Sequence, residues 1–411
     1  MKKKTLLIAI FISALLFSAV AGIKLVNLGK SAYFPDQSVQ MTFIKADGSV
    51  DPESAPILRN GTVYAFVDDI DGYVVVEKSN CVVDGAGYAV GGVYGCLRLT
   101  DDGEWIVEDI RNVTVRNTVV KEGGIIFYGY LTSYSVIIAN NTIHESKGLD
   151  CSGYGNIIVN NTVNGGDGIS FAGDRNVIFG NHVTNCDKGS NSKPSAIWVG
   201  GIDNKVVGNF ITGTSGNAID LPQATAYNNI IAGNQIVNNQ VGIHTTYVIS
   251  QGGAENNIIY YNNFINNMEN VYNEAIVTTV VSVNRWDCGT HGNYWSDYRG
   301  TDADRDGIGD IIYTIDSTNV DNYPLMAPVD ISKITIATLP LIVTPKPTPT
   351  PSATPNPTPT PTTTPTPTPT PTSSLEPEPE FPTTLVIASA VILCIVAVVI
   401  LAYYKKYKRS A

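Results

Sequence analysis

The chain has 411 residues, of which 43% are hydrophobic and 9% aromatic, and its 26 Lys and Arg against 37 Asp and Glu give a formal charge of -11. That length and apolar content can bury a large core, while the acidic balance argues against nucleic acid or bare polyuronate as a partner unless a divalent cation bridges. Seven of the basic residues lie in the two terminal segments (Lys2, Lys3, Lys4, Lys405, Lys406, Lys408, Arg409), so the middle of the chain is more acidic still.

Residues 1–21 read as a secretory signal peptide: Lys2 to Lys4, an apolar run from Leu6 to Phe17, and Ala19-Val20-Ala21 as the cleavage site. An uncleaved N-terminal anchor is the other reading of the same stretch. Residues 22–73 hold no repeat and are expected to cap a solenoid, whose first turn would otherwise present an unpaired edge.

From residue 74 to 283 one pattern recurs every 20 to 29 residues: a small residue opening a short strand, then an Asn. The pairs are Gly148 with Asn161, Gly168 with Asn181, Ala196 with Asn209, Ala218 with Asn234, and Gly242 with Asn263. A period of this length built from strands and turns is the signature of a solenoid. The Asn line extends upstream through Asn141 to Asn117. The residue before each mark is Asn or Gly (Asn140, Asn160, Gly180, Gly208, Gly233, Asn262), with Arg116 as the exception, and these types enter the left-handed region cheaply, so the chain turns there. The marked Asn is expected to stack on its counterpart one turn away, amide on amide, at ~4.8 Å. Two positions on, Val119, Ile143, Val163, Val183, Ile211, Ile236 and Ile265 form an interior stripe.

Strand alternation also defines an outward line opposite Leu149, Ile169, Ile197, Ile219 and Ile243: Asp150, Ser170, Trp198, Asp220, His244. Trp198, Asp220 and His244 are expected as neighbours on an exposed face, an aromatic platform beside a carboxylate and an imidazole that suits sugar stacking. Asp150 and Asp220 fall three turns apart, ~14 Å, which is too far for a hydrolase pair needing ~5 to 9.5 Å. His144, His182 and His291 are isolated.

Parallel strands stacked in this way make an all-β, parallel β-helix solenoid. Residues 74–283 resemble the right-handed parallel β-helix proteins with NosD-like repeats of archaeal-type cell surfaces. The tail Asn293-Tyr294-Trp295-Ser296-Asp297-Tyr298, the run from Asp302 to Asp310 and Asn322-Tyr323-Pro324-Leu325 look like that group's closing motif. A copper role attached to the NosD name does not carry over, because four scattered His and the scattered Cys give no copper ligand set. Polygalacturonases and pectate lyases share the fold, but their acidic cluster and basic catalytic residues are not visible in the repeats.

Residues 284–330 read as a C-terminal cap with Trp286, Trp295 and Tyr298. Asp302, Asp304, Asp306 and Asp310 offer hard oxygen ligands at positions 1, 3, 5 and 9 of a loop with Gly307 at 6, the spacing of a structural calcium loop or of an acidic surface turn. Tyr313 stands where an EF-hand has Glu, so a further ligand such as Asp316 is needed. Sequons at Asn60, Asn112, Asn140 and Asn160 mark candidate glycosylation sites. Cys81 and Cys96 are close enough in sequence for a disulfide, Cys151 falls on the inward phase, and Cys81, Cys96, Cys151, Cys186 and Cys288 are odd in number, so not all can pair within the chain.

Residues 331–384 are expected to be a disordered Pro/Thr-rich stalk, residues 385–404 a transmembrane helix of ~30 Å, and residues 405–411 a basic cytoplasmic tail. These features together imply a single-pass type I cell-membrane protein with an extracellular ectodomain. They favour a non-catalytic scaffold for adhesion, glycan binding or envelope structure over a polysaccharide-acting lyase, hydrolase or epimerase, with surface glycans or polysaccharide as partners.

Overall fold

The computed structural model describes residues 35–342, except 101–102, 104, 128–132, 146, 188–193, 223–224, 251, 277–279 and 341. The expected signal peptide, transmembrane helix and cytoplasmic tail lie outside the described residues, as does the stalk beyond Ile342. Among the described residues no helix is long and apolar enough to cross a membrane.

One turn of the solenoid shows how the sequence dictates its shape. Ile137–Ala139 is a strand, Asn140 turns in the left-handed region, Thr142–His144 is the second strand, and Leu149–Cys151 the third. Gly155, also left-handed, then returns the chain to Ile157–Val159, which pairs in parallel register with Ile137–Ala139. Repetition stacks three parallel faces. The first runs from Val63–Phe66 through Cys81–Asp84 and Val113–Arg116 down to Ile258–Tyr260. The second runs from Thr142–His144 to Asn263–Ile265, and the third from Met41–Ile44 to Glu269–Ile276. Parallel rungs begin already at Met41–Ile44, paired with Tyr73–Val76, and the last is Tyr294–Trp295 on Asn263–Phe264, so the coil reaches past residues 74–283 at both ends.

The first and second faces send one side chain per turn inward, and the third face, with its longer strands, sends two in several turns. Val115, Ile138, Ile158, Ile178, Val206, Ile231 and Ile259 line the core from the first face, and Leu149, Ile169, Ile197, Ile219 and Ile243 from the third. Cys151 joins this interior. All five described cysteines are buried, and Cys81 and Cys96 are not bridged to each other; Cys81 Sγ donates instead to the Lys78 carbonyl at 3.1 Å.

The Asn ladder exists, with its phase corrected at both ends. Asn141, Asn161, Asn181, Asn209, Asn234, Asn262 and Asn293 form it, each amide Nδ2 donating to the next Oδ1 at 2.9 to 3.0 Å. The backbone N–H of each also donates to that oxygen, for example Asn161 N to Asn181 Oδ1 at 2.9 Å. The last coil is therefore marked by Asn262, not Asn263, and the first by Thr118, whose N–H reaches Asn141 Oδ1, not by Asn117. Asn117 and Tyr261 are the left-handed corner residues, so the departure from Asn or Gly is Tyr261, not Arg116. The inward residues shift likewise, to Val120 and Phe264 in place of Val119 and Ile265.

Two further ladders occupy the other corners. Asn156, Asn176, Asn204, Asn229, Asn257, Asn284 and Asn319 are linked by backbone N–H to Oδ1 bonds of 2.8 to 3.0 Å. Thr214, Asn239 and Asn267 form a shorter one. Every rung donates toward the C-terminal end, so the final amide needs a pure acceptor. All three ladders supply one. Asn293 donates to Asp321, Asn319 to Asp316, and Asn267 passes through Asn270 to Asp297.

The cap closes the core with a ring stack, Phe264 on Trp295 at 4.3 Å and Trp295 on Tyr313 at 4.2 Å between centroids. Residues 331–340, expected as the start of the stalk, pack on the outside of the coil instead. Ile334 is buried against Gly208 and Gly233, and Tyr260 Oη donates to the Pro340 carbonyl at 3.1 Å. The physical reason is composition: Ile331, Ile334 and Leu339 give this stretch an apolar anchor, and the Pro/Thr-rich sequence starts only at Thr344.

Candidate ligand face

The outward line of the third face is continuous in register. Ile126 pairs with Asp150, Asp150 with Ser170, Ser170 with Trp198, Trp198 with Asp220, Asp220 with His244, and His244 with Tyr272. Trp198, Asp220 and His244 are thus neighbours on successive turns. The Trp198 ring lies along its own strand over Gly200, where an added Cβ would come within 2.5 Å of it.

Contrary to expectation, the face is not openly exposed at its centre, because His244 is only 4% accessible. Its Nδ1 lies 2.8 Å from Asp220 Oδ1 and its Nε2 3.1 Å from Glu274 Oε2, while the Tyr272 ring stacks on it at 5.5 Å. Glu274 belongs to the turn below and reaches back diagonally, as cross-strand neighbours can. The second Asp220 oxygen accepts from Ser195 Oγ at 3.1 Å. The resulting order is Ser195, Asp220, His244, Glu274. A nucleophilic serine needs the imidazole between itself and the carboxylate, and here the carboxylate stands between. Both ring nitrogens are occupied, so His244 positions its neighbours and does not face a ligand. Sequence reasoning missed Tyr272, Glu274 and Ser195; carrying the line one turn further from His244 reaches Tyr272.

Upstream, the same line is roofed. Tyr73, Tyr94, Leu97 and Ile126 form an apolar cluster with Val39 and Trp105 outside the coil. Asp150 sits at its margin, 8% accessible, and burial pushes its carboxyl up to about 7, with the Asp167 charge adding to the rise and Ser152 opposing it.

At the cap, the carboxylates of Asp302, Asp304 and Asp306 lie within 4.8 Å of one another. Backbone N–H groups shape this loop: Gly307 N donates to Asp302 Oδ2 at 3.0 Å and Ile308 N to Asp306 Oδ1 at 2.8 Å. Asp310 is outside that group and accepts from Ala303 N at 2.7 Å. Asp316 is not a further ligand: Thr318, Asn319 and Asn273 engage both of its oxygens. The four sequon residues are exposed, Asn60 beside a hairpin turn and Asn112, Asn140 and Asn160 at left-handed corners.

Residues 190–300 match the family model described as periplasmic copper-binding protein (NosD), a span that includes Trp198, Asp220, His244, Tyr272 and Glu274. No curated protein matches the chain. The chain is a parallel β-helix, and its residues 190–300 are similar to that family. The copper in that description finds no fitting donor set among the described residues. Among the described residues the one close group of ligating side chains is the all-oxygen Asp302, Asp304 and Asp306, which suits calcium and not copper. Asp220 and Glu274 lie on opposite nitrogens of His244, so no single ion reaches all three.

Proposed function

We propose that the protein is a non-catalytic, membrane-anchored surface protein that presents its rigid coil as a scaffold, with the face from Trp198 to Tyr272 binding a neutral glycan. The observation that supports this reading is the register line itself. Trp198 and Tyr272 bracket Asp220 at fixed spacing, and His244, clamped between two carboxylates, holds that spacing without being free for acid or base work. Aromatic rings stack on sugar faces, and the carboxylates accept from sugar hydroxyls while repelling uronates. In the same reading calcium in the Asp302, Asp304 and Asp306 loop stabilises the cap, residues 385–404 anchor the chain, and Asn60, Asn112, Asn140 and Asn160 are glycan acceptors. A glycan array tests the central point: wild type binds neutral glycans and Trp198→Ala loses them.

The rival is a polysaccharide-acting enzyme on the same coil. Its support is Asp150, a carboxyl raised to about 7 by burial, as a general acid must be. Three turns, ~14 Å, separate it from Asp220, beyond the span of a hydrolase pair. Turnover of any polysaccharide in a panel, abolished by Asp150→Asn or Asp220→Asn, would favour the enzyme.

A further inference from the structure

The three terminal carboxylates of the Asn ladders differ in one respect. Asp321 is fully buried and Asp316 is saturated by its neighbours, whereas Asp297 is exposed and opens into a cavity of about 290 Å³ between the last coil and the cap. The cavity is walled by Glu269, Asn270, Ser296, Asp297 and Tyr313, with Met268 at its edge, 80% accessible.

Its polar groups are loosely joined. Asn270 Nδ2 stands 3.1 Å from Asp297 Oδ1 and 3.3 Å from Tyr313 Oη, and Tyr313 Oη stands 3.3 and 3.2 Å from the two Asp297 oxygens. Hydroxyl hydrogen bonds ordinarily close to ~2.7 or 2.8 Å, so these groups retain capacity for a better partner. Burial pushes the Tyr313 phenol up to about 12, so it keeps its proton and donates. Its ring is fixed by stacking on Trp295 at 4.2 Å, so the hydroxyl is presented without loss of side-chain freedom.

We infer that this cavity, built from Glu269, Asn270, Ser296, Asp297 and Tyr313 at the closing end of the coil, binds a single neutral sugar residue. Two carboxylates and no Lys or Arg in the lining exclude anions such as uronates and accept from hydroxyl groups. Val271 and Ile315 give the apolar flank that the C–H face of a pyranose needs. The volume admits one ring and not a chain. This site is separate from the Trp198 face and does not depend on it.

The test titrates the full-length protein with glucose, galactose, mannose, N-acetylglucosamine and glucuronate, followed by saturation-transfer NMR. At least one neutral sugar binds and glucuronate does not compete. Asp297→Ala and Glu269→Gln each weaken that binding roughly tenfold or more. Both side chains are exposed, so these variants fold. Met268→Trp, at the rim, closes the mouth and abolishes binding, while Trp198→Ala leaves it unchanged. Failure of all four neutral sugars to bind, full binding by Asp297→Ala, or loss through Trp198→Ala instead would overturn the inference.

Discussion

Asn293 donates both its backbone N–H and its side-chain amide to one oxygen of Asp321, at 2.7 and 3.4 Å, and the Trp295 indole donates to the same oxygen at 2.8 Å. A column of amides all pointing one way ends on the single side-chain type that only accepts. Replacing Asp321 by Ala leaves these buried donors without partners, each costing ~1 to 3 kcal/mol. The expected result is a loss of several kcal/mol that starts at the cap. Since a solenoid unfolds turn by turn, it should be read from the fluorescence of Trp286 and Trp295, which should melt before the far-ultraviolet signal.

Within the column, Asn181 accepts from both the N–H and the amide of Asn161. Asn181→Ala should therefore cost ~2 to 4 kcal/mol in urea unfolding. Asn160, one residue before the ladder, only turns the exposed corner at φ 54, so Asn160→Gly should be nearly neutral.

A buried carboxyl sets a pH dependence. Asp150 is pushed up to about 7, chiefly by burial, with the Asp167 charge adding to the rise. A folded carboxyl that holds its proton above the unfolded value near 3.8 binds more protons than the unfolded chain between those limits, so stability falls as pH rises from about 4 to about 7. Thermal melts across that window should show the decline. Asp150→Asn should flatten it, by up to a few kcal/mol.

Calcium should raise the melting temperature of the cap through Asp302, Asp304 and Asp306, with chelator reversing the shift. Asp304→Ala should abolish it. Calorimetry showing neither uptake nor a shift would mean that the loop does not hold calcium.

Much of this architecture was readable because its chemistry is repetitive. The first ladder announces itself through doublets of Gly or Asn with Asn, since the corner and the rung are adjacent in sequence. The second was hidden because its corners are Ser135, Gly155, Arg175 and Asp203 before reaching Asn228 and Asn256, and a corner type that changes at every turn makes no recurring doublet. The phase slipped at Asn117 and Asn263 because an Asn can serve either as corner or as rung, and only the hydrogen bonds decide. On the ligand face, Trp198, Asp220 and His244 follow from alternation alone. What alternation cannot reveal is depth: the partners that bury His244, Glu274 and Tyr272, come from the next turn, and the cover over Ile126, the register neighbour of Asp150, comes from the hairpin of Leu97–Leu99 and Trp105–Val107.

The Trp198 to Tyr272 face is proposed to bind a neutral glycan without transforming it. A glycan array probed with the full-length protein and with Trp198→Ala measures this directly. The wild type should retain one or more neutral glycans intact, and Trp198→Ala should lose them by roughly tenfold or more. A wild type that binds nothing on the array, or that cleaves what it binds, would contradict it.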